Sequence, residues 1–301
     1  MNDRRQEAPS TSGTGSRQGD RRAVMAALGM PTEGCVYDLD PGRFPGMPLW
    51  WGHPPFQVLT YRSPRGVRVQ RDHEWLAGDS NAVDTSFVSE LLIVGCHSGA
   101  HMDALCHITC GPDDRWNGGT SADEALGDFG SLKDDASQLP ALVCRGVLVD
   151  CAASLGFDRL PKSYPISLKD FETALERQAT EVRAGDVVLV RTGQMSAWPD
   201  PEEWGRTRGA GITLPVADWL IEAGVCAIGA DTEAVEVAPS IVDGNPHPVH
   251  LRALVDAGVY LLEDLYLEEL AHDAVHEFLL IVSPAKIRGA TGSFIRPLAI
   301  V

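Results

Sequence analysis

No apolar run in the 301-residue chain reaches the roughly 18 residues that cross a bilayer as a helix. Met1 to Arg22 is polar and lacks the apolar core of a secretory signal. An excess of positive charge is missing too. Lys and Arg number 25 against 42 Asp and Glu, a formal net charge of −17. A surface this acidic repels nucleic acids and anionic membranes, so neither is expected as a partner. Cysteine is sparse: the 7 residues are scattered and odd in number, which excludes a disulfide framework. A reducing cytoplasm is the expected compartment. No internal repeat and no strong domain boundary breaks the chain.

What is present is ordinary globular material. Hydrophobic residues make up 44% and charged residues 22%, and the length suffices to bury a core. Residues 1–20 are rich in Ser, Gly, Thr, Arg and Asp without apolar periodicity, and are expected to form a disordered tail. Residues 21–301 are expected to form a single domain.

Strand patterns fall at Cys35–Leu39, Phe87–Val94 and Ala141–Asp150, the last as one bent strand or a strand pair. Ser167 opens a helix over Leu168–Thr180, with Asp170 in its first turn. Val187–Arg191 is a continuous apolar run of buried-strand length. Leu214–Ala223 has a helical pattern that stops at Gly224, and Val225–Gly229 is the next strand. His250–Ala257 reads as a short helix ended by Gly258, and Val259–Leu262 as a strand with Glu263 and Asp264 at its tip. Phe278–Val282 and Ile295–Val301 close the chain as strands. Helices alternate with strands in the middle and strand pairs dominate the ends, so the fold class is mixed α/β. Pro41 to Pro55 is an aromatic loop carrying Trp50 and Trp51. With Phe56 and Trp116 these side chains either plug a core edge or wall a pocket for a flat substrate.

The chemistry concentrates in one segment. His97, His101, Asp103 and His107 form H-x3-H-x-D-x3-H and include three of the 9 histidines. Neutral imidazole with carboxylate suits divalent Zn, Mn or Fe. A helix would turn Asp103 away from His97 and His101. An extended strand from His97 to Asp103 would span roughly 20 Å, whereas every donor must sit about 2.0–2.2 Å from the ion. The chain must therefore fold back at Ser98-Gly99-Ala100, giving a loop after a strand with a helical turn behind it. One Asp and two His leave a divalent ion short of ligands. His53, His73, His247, His250, His272, His276 and Glu263 are the candidates to complete it. His272 and His276 sit among acidic residues and read as a solvated helix face.

The segment resembles the signature H-x-G-T-H-x-D-x-x-x-H of the cyclase family of metal-dependent hydrolases, which includes bacterial kynurenine formamidase and isatin hydrolase. Gly185–Gly193, Ile228–Thr232 with Glu236, Pro248–His250, Leu261–Leu265, and Gly289–Ser293 with Arg296-Pro297 also look like this family. The resemblance runs from about Val36 to the C-terminus. It implies a swivelling β/β/α fold, a homodimer or homotetramer, and one or two zinc or manganese ions. His97, His101 and Asp103 would be ligands, His250 and Glu263 the distal ligands, and His107 the catalytic base or acid. Ala100 departs from the usual Thr and Leu105 from a frequent Pro. Cys106 and Cys110 beside His107 read as buried thiols rather than ligands.

The expected reaction is hydrolysis of an amide, formamide or lactone bond in a small cyclic or aromatic substrate. The metal would activate water, and His107 would carry its proton. Two other classes use the same residues. One is a cyclase, dehydratase or isomerase with the metal as Lewis acid. The other is a non-catalytic metal- or ligand-binding protein.

Overall fold

The structure is a computed structural model that describes residues 21–71, 73, 76, 81–204 and 209–301. The tail expected over residues 1–20 lies outside the described residues. In chain order the strands are β1 (Val36–Asp38), β2 (Gln57–Arg62), β3 (Ser89–Ile93), β4 (His101–Asp103), β5 (Leu126–Gly127), β6 (Gly130–Ser131) and β7 (Leu142–Asp150). They continue with β8 (Pro165–Ile166), β9 (Val187–Arg191), β10 (Gly211–Ile212), β11 (Ala227–Ala230), β12 (Tyr260–Glu263), β13 (Glu277–Val282), β14 (Gly292–Phe294) and β15 (Leu298–Ile300). Nine of these form one mixed sheet, ordered β1-β15-β13-β7-β9-β11-β12-β4-β14.

The centre of that sheet, β7-β9-β11-β12, is parallel. Its strands are the continuous apolar runs, because a strand covered on both faces has no polar side. Alternation assigns the faces. Val147, Val149, Val188, Val190, Ile228 and Leu261 pack in one core with Phe171 and Leu220 of the covering helices. Leu148, Val187, Leu189, Ala227 and Leu262 point into the other core, with Met102 and Trp116.

The helices follow their sequence signals. Leu168–Gln178 starts at a capping box, in which Ser167 and Asp170 satisfy each other's backbone N–H groups. Such a cap contributes about 1 kcal/mol. Leu214–Ala223 ends at Gly224 in the left-handed conformation. The helix expected at His250 begins earlier, at Pro248, and widens into a π-helix over Leu251–Ala257.

Of the two readings of Ala141–Asp150, the single strand holds: it is β7, Leu142–Asp150. The strand expected over Ile295–Val301 is shortened to β15, Leu298–Ile300, which pairs with β13 and β1 near one end of the sheet, while β14, just before it in the chain, lies at the other end. Pro297, between them, has no N–H to continue a ladder.

The ends of the parallel strands carry buried charge. Arg191 binds Asp150 at 3.0 and 3.1 Å and Glu268 at 2.7 Å. Asp231, just past β11, accepts from the Thr192 N–H, the Thr192 hydroxyl and the Gly193 N–H, each at 2.8 Å. These bonds fix the end of the sheet at which Glu263 emerges from β12.

Candidate metal centre and active site

β4 lies between β12 and β14, paired antiparallel with both. Side chains alternate along a strand, so His101 and Asp103 share a face while Met102 turns into the core. Glu263 is the direct cross-strand partner of His101, and such partners lie on the same face. Three ligand-type side chains therefore converge by strand register alone. His101–Asp103 is a strand and not a loop, as spacing had implied. The fold-back lies before it, at Gly99 with φ +62. The turn expected after it closes with the His107 N–H donating to Ala104 at 2.9 Å.

His101 Nε2 lies 3.1 Å from Glu263 Oε2 and 3.7 Å from Asp103 Oδ1. His250 Nε2 comes to 3.1 Å from Glu263 Oε1 and 3.8 Å from Asp103 Oδ2. His97 Nδ1 is 2.9 Å from Asp103 Oδ1. The five expected ligands thus meet around Asp103, which is completely buried. Beyond these contacts with one another, His97 Nδ1, His101 Nε2 and both Asp103 oxygens are buried with no hydrogen-bond partner. Buried polar atoms normally find partners. Ligand-type atoms converging only on one another are what a cation requires, so the residues fit a metal ion.

The other ring nitrogens are committed. The His101 Nδ1–H donates to the Gly99 carbonyl at 2.8 Å. A carbonyl only accepts, so in the neutral ring Nε2 carries the lone pair facing the centre. The His250 Nδ1–H donates to Glu236 Oε1 at 2.5 Å, and His97 Nε2 bonds the Thr291 hydroxyl at 2.9 Å. Such outer partners fix tautomer and ring orientation. Gly292 leaves His97 its place, because a Cβ there would sit 2.5 Å from the ring.

Sequence reasoning did not single out Glu236 or Thr291 as site residues. Glu236 did carry a signal: a lone carboxylate inside the apolar run Ala234 to Ala238 has to be buried with a partner. Thr291 carried none, because only the β4–β14 pairing brings it to His97.

Electrostatics divide the centre into two layers. Burial opposes charge on Asp103, yet His107, His97 and His101 hold its carboxyl well below the usual range. Burial also opposes charge on Glu236, but bonds from His247 and His250 bring it to about 2. Burial alone would lower His101, but the hydrogen bond and charge of Glu263, with Asp103, push it up to about 9. His107 is the opposite case: burial drives it down to about 3, so it is neutral at pH 7.

His101, Asp103, His250 and Glu263 are buried, while His97, His107 and His53 remain partly accessible. These three rings stack in a row. His53 lies 5.5 Å from His97, and His97 lies 3.9 Å from His107, between ring centres. Trp50 packs on His53 at 5.1 Å and on Trp51 at 4.8 Å, and Trp51 is 71% exposed. Trp50 and Trp51 stand at the rim. Phe56 is buried. Trp116 is not at the rim: it lies in the core and its indole N–H donates to Asp134. Cys106 is buried with its thiol pushed up to about 11 by burial, so it offers no thiolate. Ala100 is packed in the core with Met102. Among the described residues, ligand-type atoms lie within 4.8 Å of one another in three groups, His101-Asp103-Glu263, His97-Asp103-His107 and Glu236-His247-His250. His272 and His276 belong to none of them.

The family model for Cyclase matches residues 37–237 of this chain. A search of curated proteins gave no match. Among solved structures, a novel cyclase is similar over 94% of this chain and 93% of its own, at 25% identity and TM-score 0.80. Isatin hydrolase A from Ralstonia solanacearum is similar over 97% and 99%, at 21% identity and TM-score 0.63. A predicted metal-dependent hydrolase from Bacillus stearothermophilus is similar over 89% and 98%, at 18% identity and TM-score 0.55. The last two likenesses concern the fold.

Proposed function

Because the chain belongs to the Cyclase family, we propose that it is a metal-dependent hydrolase of amide, formamide or lactone bonds in a small cyclic or aromatic substrate. The observation that carries this is the set of buried atoms on His97, His101 and Asp103 that converge with no partner outside the centre, beside a neutral, partly accessible His107. His97, His101, Asp103, His250 and Glu263 would hold the ion, and their donor set suits zinc or manganese. A divalent ion there polarises a carbonyl and lowers the pKa of water.

The chain's own groups do the rest. Gly99 and Glu236 keep the lone pairs of His101 and His250 aimed inward. His107 takes the proton of the attacking water on a ring nitrogen and returns it to the leaving nitrogen or oxygen. Trp50 and Trp51 offer a flat apolar rim for the substrate ring. The test is a panel of formamides, cyclic amides and lactones run in isotopically heavy water. Heavy oxygen in the product carboxylate supports hydrolysis. Turnover without incorporation points to the cyclase, dehydratase or isomerase reading. A second reading of His107 rests on the trio His97-Asp103-His107: a second ion there would take His107 as a ligand.

The raised His101 sets a pH dependence. A proton held up to about pH 9 must leave before Nε2 can bind a metal. Affinity therefore falls as pH drops below 9. Titration with zinc from pH 6 to 10, the bounds spanning that value of about 9, is expected to show this slope. A flat profile would contradict it.

Self-association is proposed through the ribbon β2–β3. Two strands alone are marginal in water, yet Val58, Leu59, Tyr61, Leu91, Leu92 and Ile93 are exposed on it. Copies carrying −17 each repel, so they must meet on a nearly uncharged patch. This ribbon is one, with only Arg62 and Glu90 charged. Sedimentation is expected to give a dimer or tetramer, and Leu92→Glu to give a monomer. A monomeric parent chain would end the proposal.

A further inference from the structure

We propose that Arg43 is a positioning residue of the metal centre: its guanidinium clamps the fold-back Ser98–Ala100 so that the Gly99 carbonyl is held on His101. The proposal rests on the metal reading above. Arg43 comes from the loop after β1, far from the centre in sequence, and it was not among the site residues read from the sequence.

The geometry is specific. Arg43 Nε–H donates to the Ser98 carbonyl at 2.8 Å, and Nη2–H donates to the Ala100 carbonyl. Nη1 is bidentate on Asp40, at 3.1 and 2.9 Å. Asp40 is itself braced by the Gly42 N–H at 3.2 Å. The guanidinium also lies 4.9 Å above the ring of Phe294, the residue paired with His101 in register. The side chain is only 14% exposed.

The consequence lies in the carbonyl between the two it holds. Arg43 takes the carbonyls of residues 98 and 100. The Gly99 carbonyl alone is left to accept from His101 Nδ1. That bond gives His101 the tautomer whose Nε2 faces Asp103 and Glu263. Gly99 is required for the same reason. Its φ is positive, and a Cβ there would meet the Arg43 stem at 3.3 Å. The planar fork matters rather than the charge, because one ammonium cannot span two carbonyls and a carboxylate in one plane.

Charge and clamp predict opposite signs. A cation near a divalent ion repels it, so removing Arg43 should tighten binding if charge dominates. The clamp predicts the reverse. In the full-length chain, Arg43→Met is expected to weaken zinc binding about 10–100-fold, the usual cost of losing an outer-shell partner. Affinity is read by competition with a chromophoric chelator. Arg43→Lys is expected to fall about as far, and Asp40→Asn to fall in the same direction. Arg296→Met, which breaks an exposed pair with Asp38, is expected to bind as the parent does.

Cobalt-loaded Arg43→Lys is expected to show an altered ligand-field spectrum. A residue that merely stabilises the fold would lower the melting temperature and leave that spectrum unchanged. Parent-like zinc affinity in Arg43→Met, or full recovery in Arg43→Lys, overturns the clamp. If Arg43→Met does not fold, Arg43→Lys and Asp40→Asn decide. Failure of the parent chain to bind zinc at all would count against the metal reading instead.

Discussion

Asp103→Asn is expected to remove divalent-ion binding and, with it, turnover. Among the described residues, Asp103 is the side chain that approaches all three of the proposed ligand histidines, at 2.9 Å from His97, 3.7 Å from His101 and 3.8 Å from His250. The amide keeps the shape of the carboxylate but loses its charge and one acceptor. Even an outer-shell partner is worth about 10–100-fold in affinity, so losing this central ligand should cost more than about 100-fold. Glu263→Gln is the companion variant. It removes the carboxylate that reaches His101 and His250 at 3.1 Å each. Chelator competition gives the affinity, and circular dichroism of the metal-free chains shows whether the fold survives. Retained affinity in both variants would rule out this arrangement of ligands.

His107→Ala is expected to separate chemistry from metal. Binding should persist, because the five proposed ligands are untouched. Turnover should drop by about 10²–10⁴, the range for a lost general base, with KM changing little. The sign follows from burial: a ring held down to about 3 is unprotonated at pH 7 and can accept a proton. If His107→Ala instead loses an equivalent of metal, the ring is a ligand in the His97-Asp103-His107 trio and the proton carrier lies elsewhere. His53, lowered to about 4 by burial and by His97 and stacked on the same row, is then the next base to test.

Much of this centre was legible in the sequence, for physical reasons that can be named. The histidines and Asp103 were too dense to be ordinary surface residues. The distance limit on metal ligands forced a fold-back, and Gly99 was the residue able to take it. The strands β7, β9, β11 and β12 were visible because burial on both faces leaves a continuous apolar run. The local structure of His101–Asp103 was not visible. A strand of this length leaves no periodicity, and it exists only because β12 and β14 pair with it.

The outer partners were harder still. Glu236, Thr291 and Arg43 reach the centre through tertiary approach, and only the isolated Glu236 left a trace in its own neighbourhood. Aromatic residues misled in one case. Trp116 has the composition of a pocket wall, but its N–H found Asp134 and its ring found the core. Trp50 and Trp51 have no such partners inside and stay at the rim.

On this reading His97, His101 and Asp103 together hold a divalent ion. Elemental analysis tests it most directly. The purified chain is loaded with zinc or manganese, dialysed exhaustively, and compared with Asp103→Asn treated in the same way. Stoichiometric ion is expected in the parent and none in the variant. A parent chain that retains no ion, or a variant that retains as much, would contradict it.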